Sequence, residues 1–547
     1  MLILTFVAIL LVAVLAHFSG QSLADERGAL QRVLDSRGVV VVMFVATFVV
    51  LWYSWAAWNP IPVVHDEMAY LLQAQIFAQG KWALPSPPLP AFWEQPHVLV
   101  EPTLASKYFP GHSLVMTLGA LVGWPPLMPL VLQSTIAALL FVLARRVASG
   151  GVAFLATTIW LFTPMTLYFG PSYYSEATTA ACWLAGWYAL LAWRSSRKMH
   201  WLVAVAFFTG WAAITRPLTG VAYAIPVALV VLRDVVSLKQ WRDLAFAFAM
   251  GVTVLGILPI WSAHVTGDWR LTPQALYTRM YMPYDVPGFG LVTTKPTHTI
   301  TPDLQRLNSG YSAVHVNHFP STLLGTLAAR ARAIAVTVWG ATSGVLGLFA
   351  LFGLFTLSGA TAFAVGSSVL LIFVYLFYAT PAQWTLYYYE STPAFAYLSA
   401  AGLAWAASLI GRPRNTPKSA MFDWRSPRWS RALAAGALVF AVTGILALRV
   451  LHHQHSDDRR RLEAFGELRD SIPGTRAVLF VRYAPTHDQH TAFVRNVAKL
   501  SEERVWVVYD RGESENARLL ARAPERKAYL YDEVHGQAYE YNPLAKP

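Results

Sequence analysis

Long apolar runs separated by short polar links recur along most of this chain, near residues 2–18, 38–58, 125–145, 150–169, 175–193, 200–214, 217–232, 243–264, 333–356, 361–379, 385–410 and 432–451. As helices, runs of about 20 apolar residues match the roughly 30 Å hydrocarbon core of a bilayer. The expectation is an all-α polytopic protein with about twelve membrane segments. The first run, Leu2 to Phe18, lacks a basic start and a clear small-residue cleavage site, so it reads as a retained helix. The stretch 200–232 is too long for one span, since a single helix would measure about 50 Å. Arg216-Pro217 sits in its middle, and proline tends to end the preceding helix. Two short segments meeting near the outer face at Arg216 are expected instead.

Between these runs the pattern changes. From His65 the chain reads His-Asp-Glu-Met-Ala-Tyr, just beyond Pro60 and Pro62. As a helix this places Asp66, Tyr70 and Gln73 on one face and Met68, Leu72 and Ile76 on the next. Such a helix should lie along the membrane surface, with Asp66 and Glu67 in the first turn, where negative charge is favoured. Ser113 to Val122 is apolar but too short to span, and reads as a second surface helix or one dipping partway in. The loop 265–331, rich in aromatics, Gly and Pro, reads as an ordered lid. After the last apolar run, strands near 477–481, 505–509 and 527–531 alternate with helices near 491–500 and 513–522. That is a small βαβαβ unit with a parallel sheet and no glycine-rich phosphate loop, expected to pack on the membrane domain or bind a partner. The expected division is 1–37, a first helix and link; 38–452, a membrane domain with outer loops 59–124 and 265–331; and 453–547, a small α/β domain outside the membrane.

Composition sharpens the picture. Of 547 residues, 55% are hydrophobic and only 13% charged, against about 25% charged in a soluble protein. The +12 net charge therefore reads as topology and not as affinity for nucleic acid. Basic clusters at Arg145-Arg146, at Arg194, Arg197 and Lys198, at Arg233, Lys239 and Arg242, and from Arg412 to Arg431 mark the cytoplasmic side of an inner (plasma) membrane. The loop 59–124 holds only Lys81 and Lys107, and with 265–331 and the tail after His452 it belongs outside. The single cysteine, Cys182, allows no intrachain disulfide.

Candidate chemistry gathers at that outer face. A carboxylate can take the proton of an attacking hydroxyl, and Asp66 with Glu67 offers an adjacent pair; the plain alternative is an acidic helix start. Lys107 can bind a phosphate as a point charge or simply snorkel at the interface. Glu176, in Ser172-Tyr173-Tyr174-Ser175-Glu176, is either a second acidic group steering a metal or, with Tyr70, an acceptor, or part of a helix cap. A charge at membrane depth costs at least ~2.5–3.5 kcal/mol, so Arg216 needs a reason to be there. It either grips a lipid phosphate with its guanidinium fork or pairs with Glu176. The outer histidines His65, His97, His112, His298, His315 and His318 could join Asp66 around a divalent metal, but no pair has a strong ligand spacing, and no other cofactor is called for. Tyr387, Tyr388, Tyr389 and Glu390 form either an interfacial aromatic belt or the lining of an isoprenoid groove.

A membrane helix, then Asp-Glu opening a surface helix, then Lys107-Tyr108-Phe109-Pro110-Gly111, then a bundle broken at Arg216-Pro217, resembles the GT-C superfamily of membrane glycosyltransferases. Within it the chain looks like the family 39-like proteins, which include protein O-mannosyltransferases and lipid A aminoarabinose transferases. The likeness covers most of residues 38–530, including the tail from Val478-Leu479-Phe480-Val481-Arg482-Tyr483. It implies a polyprenyl-phosphate-linked sugar donor drawn from the bilayer and an acceptor hydroxyl on a glycan, lipid or protein. It implies transfer with inversion, a catalytic carboxylate at Asp66 with Glu67 beside it, and phosphate-binding cations at Lys107 and Arg216. Two positions depart from the family pattern. Ser106 precedes the loop lysine where aminoarabinose transferases have Glu, and Leu386 precedes Tyr387 where relatives often have Arg or His. A transporter or flippase of lipid-linked sugars, or a non-catalytic envelope assembly protein, are the alternatives. Transporters place their charges near the bilayer midplane on broken helices in paired repeats, and here the charges collect at one face.

Overall fold

The computed structural model describes residues 32–58, 62–290, 292–298, 301–340, 343–410, 456–488 and 492–543. The expected segments 2–18 and 432–451 and the basic cluster from Arg412 to Arg431 lie outside them. The chain is a multi-pass helical membrane protein. Four described helices are long and apolar enough to cross a bilayer, Leu127–Val147, Pro217–Leu238, Trp241–Thr266 and Gly359–Phe377, and a bent pair near 320–356 would make a fifth. Gly38–Ser54, Gly150–Leu161 and Met199–Ala213 are shorter apolar helices. Expected runs 150–169 and 333–356 are each two helices. In the first, Thr163 caps a new helix at Pro164 by accepting from the Thr166 N–H at 3.1 Å. In the second, Leu323–Trp339 is followed by Ser343–Gly353.

The break at Arg216 is where the sequence puts it. Helix Met199–Ala213 ends, and Pro217 opens the helix Pro217–Leu238. The two pack so tightly that a Cβ on Gly220 would lie 2.5 Å from the Ala213 Cα. The turn between them is held from outside. The Gly111 N–H donates to the Ile214 carbonyl at 3.0 Å, and the Trp211 indole donates to the Gly111 carbonyl at 3.2 Å. A side chain at Gly111 would strike Thr215 and Ile214. Pro110-Gly111 thus docks the first outer loop onto the turn that carries Arg216.

The first outer loop opens with the helix His65–Ala78 and contains a small antiparallel sheet of β1 (Leu84–Pro85), β2 (Val98–Leu99) and β3 (Thr103–Ser106), ordered β1-β3-β2. It closes with the helix Pro110–Leu121, the expected second short helix. The apolar face of the 65–78 helix does not meet lipid. Leu72 and Ile76 share a buried cluster with Phe92, Trp93, Val98 and Leu104 of the same loop and with Val478, Phe480, Val508, Leu519 and Leu530 of the C-terminal unit.

That unit is a four-stranded sheet in the order β5-β4-β6-β7, with β4 (Ala477–Arg482), β5 (Val505–Tyr509) and β6 (Lys527–Asp532) parallel and β7 (Gln537–Glu540) antiparallel at the edge. Helix Glu513–Ala521 forms the β5–β6 crossover, and helix Ser456–Ser471 precedes the sheet. The helix expected over 491–500 is not formed by the described residues 492–500. The N–H groups it would need are taken elsewhere. Those of Phe493 and Val494 donate to the Tyr483 hydroxyl at 3.0 and 3.1 Å, and that of Asn496 donates to Gln95 Oε1 at 2.8 Å. Docking against the first outer loop outweighs the local helical pattern.

Candidate active site

A cavity of about 710 Å³ opens where the two outer loops meet the helix ends. It is lined by Asp66, Glu67, Tyr70, Lys107, Glu176 and Arg216, all six residues singled out in the sequence. The 65–78 helix supplies the first three. Gln73, on the face shared by Asp66 and Tyr70, fixes this helix to the loop by accepting from the Ser106 N–H at 3.1 Å and donating to the Trp82 carbonyl at 2.9 Å.

Asp66 faces the cavity with its side chain 34% exposed, so a substrate can reach it. Its Oδ1 accepts from the Tyr108 hydroxyl at 2.5 Å, and its Oδ2 lies 3.6 Å from His97 Nε2. His97 sits at φ 67, an uncommon conformation for a residue with a side chain. It is pinned there by its N–H donating to the Tyr277 hydroxyl at 2.8 Å and its carbonyl accepting from the Lys107 N–H at 3.0 Å. The Asp66 carboxylate is thus oriented by one firm hydrogen bond and keeps lone pairs free for a proton.

Glu67 is placed differently. It is buried, and its two oxygens accept from the backbone N–H groups of Val63 and Val64 (both 3.3 Å) and Tyr173 (3.1 Å). Burial pushes its carboxyl up to about 7, against these three donors, which favour the ionised form. The carboxylate ties the start of the 65–78 helix to the 171–175 linker. Its geometry is that of a structural tie, where the sequence pairs it with Asp66 as a catalytic group.

The two cations each hold an acid. Lys107 Nζ donates to Asp285 Oδ2 at 2.6 Å, with both side chains buried. Burial alone would raise the Asp285 carboxyl, but the Lys107 ammonium and hydrogen bonds from Lys107 and Tyr378 hold it below the usual carboxylate range. Arg216 donates through Nη1 to Glu176 Oε1 at 2.5 Å and to Ser175 Oγ at 3.2 Å, and through Nη2 to the Tyr375 hydroxyl at 3.1 Å. Its guanidinium also lies 5.1 Å from the Tyr387 ring centroid. The Glu176 partnership left open by the sequence is therefore formed. Arg216 Nε is buried with no hydrogen-bond partner among the described residues, so of the five N–H groups of the fork those in use are on Nη1 and Nη2. Tyr70 connects the two halves of the site, its hydroxyl donating to Ser175 Oγ at 3.0 Å and its ring stacked on Tyr108 at 4.6 Å.

Asp285, Tyr108, Tyr375 and Tyr378 also line the cavity, and no role for them was read from the sequence. Asp285 is one of only three acids in 265–331, with Asp268 and Asp303, and that scarcity was the one sequence signal for it, though nothing in it points to Lys107. Of the outer histidines, His65 and His97 line the cavity with their ring centroids 6.3 Å apart and His97 beside Asp66, while His315 and His318 form a second pair 6.5 Å apart. His112 uses both ring nitrogens structurally, Nε2 donating to the Tyr173 carbonyl at 2.9 Å and Nδ1 accepting from the Thr178 hydroxyl at 2.8 Å. His298 lies 3.6 Å from Glu101, and His318 stacks on Phe289. Among the described residues no three His, Cys, Asp or Glu side chains are grouped to hold a metal ion. Of the late tyrosines, Tyr387 lines the cavity. Tyr388 and Tyr389 are buried, Tyr389 donating to Gln133 Oε1 at 2.6 Å, and buried Glu390 accepts from Thr179. Burial of this kind is not that of an interfacial belt.

No family model and no curated protein matches the chain. Among solved structures it is similar to the apo form of ArnT from Cupriavidus metallidurans, with 14% identity over 90% of this chain and 92% of that one and a TM-score of 0.51. The same protein bound to undecaprenyl phosphate aligns at 14% identity over 91% and 94%, with a TM-score of 0.48. An oligosaccharyltransferase of Archaeoglobus fulgidus aligns at 12% over 90% and 69%, with a TM-score of 0.44. At such identity the likeness to apo ArnT is one of fold, and that fold is the GT-C fold the sequence resembles.

Proposed function

We propose that this chain, having the GT-C fold, is a membrane glycosyltransferase that moves a sugar from a polyprenyl-phosphate donor to an acceptor hydroxyl at the outer, periplasmic face of the inner membrane. The observation that carries the reading is the arrangement of one cavity, with a substrate-accessible carboxylate on one element and two cations on others. In the reaction the acceptor oxygen attacks the anomeric carbon as the bond from that carbon to the phosphate oxygen breaks, inverting the sugar. Asp66 takes the hydroxyl proton. The leaving polyprenyl phosphate gains negative charge, which Arg216 and Lys107 stabilise. The fork of Arg216 suits a phosphate, which at the cavity would share the Nη groups now held by Glu176, Ser175 and Tyr375. Lys107 enters as a point charge, exchanging part of its contact with Asp285 for the donor. The roughly 710 Å³ cavity accommodates a sugar and an acceptor group together.

The test is transfer from a polyprenyl-phosphate sugar by purified protein in detergent, where no bilayer separates two compartments. Product formation is expected. Movement of the lipid in vesicles with no transfer in detergent would favour a flippase and overturn the reading.

A further inference from the structure

Arg330 lies on the helix Leu323–Trp339 and does not line the cavity, yet it is only 1% exposed. It makes no ion pair among the described residues. Instead, Nη1 donates to the Tyr375 carbonyl at 2.6 Å, and Nη2 donates to the carbonyls of Tyr378 and Thr380 at 2.8 and 3.3 Å and to the Thr380 hydroxyl at 3.0 Å. These carbonyls belong to the turn that ends the helix Gly359–Val374, where backbone acceptors run out of helical partners. A buried guanidinium is costly unless its donors are used, and here one cation satisfies three such carbonyls.

The same turn carries the two hydroxyls that hold both cavity cations. Tyr375 accepts from Arg216 and is hydrogen-bonded to Thr219 at 3.0 Å. Tyr378 donates to Asp285, which in turn receives Lys107. We infer that Arg330 is a positioning residue: by locking the turn 375–380 it sets Tyr375 and Tyr378, and through them the spacing of Arg216 and Lys107 that a donor phosphate has to span. The inference rests on the reading of these two cations as the phosphate site.

The experiment measures binding of undecaprenyl phosphate to the purified full chain, with thermal stability recorded for every variant. Arg330→Gln is expected to weaken binding roughly tenfold, the scale of one hydrogen bond to a charged group. In a Tyr375→Phe, Tyr378→Phe background the same change is expected to alter affinity by no more than about twofold, because the hydroxyls through which it acts are gone. Arg330→Lys, which keeps a cation and three donors, takes its place in the same cycle if the glutamine variant does not fold. Equal losses in both backgrounds, or no loss in either, overturn the inference. Arg216→Lys and Lys107→Gln serve as controls. If neither weakens binding, the phosphate site itself is misassigned and the proposed function fails first.

Discussion

Asp66 and Glu67 are neighbours with opposite surroundings, and their variants should separate accordingly. Asp66→Asn keeps the shape and can still accept from Tyr108, but it cannot take a proton. Transfer should fall by roughly 10²–10⁴-fold with donor binding near normal. Glu67→Gln should leave turnover close to the parent and act on stability through pH. The Glu67 carboxyl is pushed to about 7 from an ordinary 4.5, so between those values the folded chain holds a proton that the unfolded chain has released. The contribution is full below 4.5 and is lost as pH rises toward 7. Thermal unfolding from pH 4.5 to 7 should show a downward trend in the parent that is shallower in Glu67→Gln, because burial also pushes the Glu94 carboxyl up to about 7 and that part of the trend stays; identical profiles would deny the shift. Arg216→Lys keeps the charge and loses the fork, so donor binding should weaken, and Arg216→Ala should weaken it further while the protein stays folded. If Arg216→Ala and Glu176→Ala both unfold the chain, their ion pair is structural alone. Residue type and place were enough to find these groups, because a charge at a membrane boundary is conspicuous in an apolar sequence. Asp285 was not conspicuous. It meets Lys107 across 178 positions of chain, and nothing local to either residue announces the pairing.

Helices with a strong local cause were legible and those shaped by distant partners were not. Pro217 breaks the 200–232 run wherever it is placed, and the 65–78 helix follows from its periodicity. The 491–500 stretch has helical character too, but Tyr483 and Gln95 claim its N–H groups. Contact between elements also explains why Lys-Tyr-Phe-Pro-Gly and Arg-Pro occur together. Gly111 lets the loop close on the 214–216 turn with no side chain in the way. Gly111→Ala should cost about 1–3 kcal/mol through crowding, and it should weaken donor binding because the displaced turn carries Arg216. Measured unfolding and undecaprenyl phosphate affinity should therefore fall together. A loss of stability alone would separate the turn from the site.

The loop 59–124 and the C-terminal sheet share a core, so they must lie on one side of the membrane. Reporters placed after Pro547 and in the first loop should give the same side, and one near Pro417 the opposite side, if the Lys/Arg pattern is read correctly. Opposite sides for the first two would contradict the packing. Asn496, which donates to the Trp93 carbonyl at 2.7 Å and to Gln95, is the place to loosen this joint. Asn496→Ala should raise hydrogen exchange in residues 92–106 before any change in the membrane helices. The joint also sets an order in time. Chains are made at about 5–20 residues per second, so the helix bearing Asp66 leaves the ribosome tens of seconds before the strands that cover its Leu72 and Ile76 face. Throughout that interval the 65–78 helix lacks its support, and under the proposed function a nascent chain already threaded into the bilayer would meet a lipid donor with an unfinished site. On that reading competence would arrive with the last sheet, and premature termination after the membrane helices is expected to yield an inserted but idle protein.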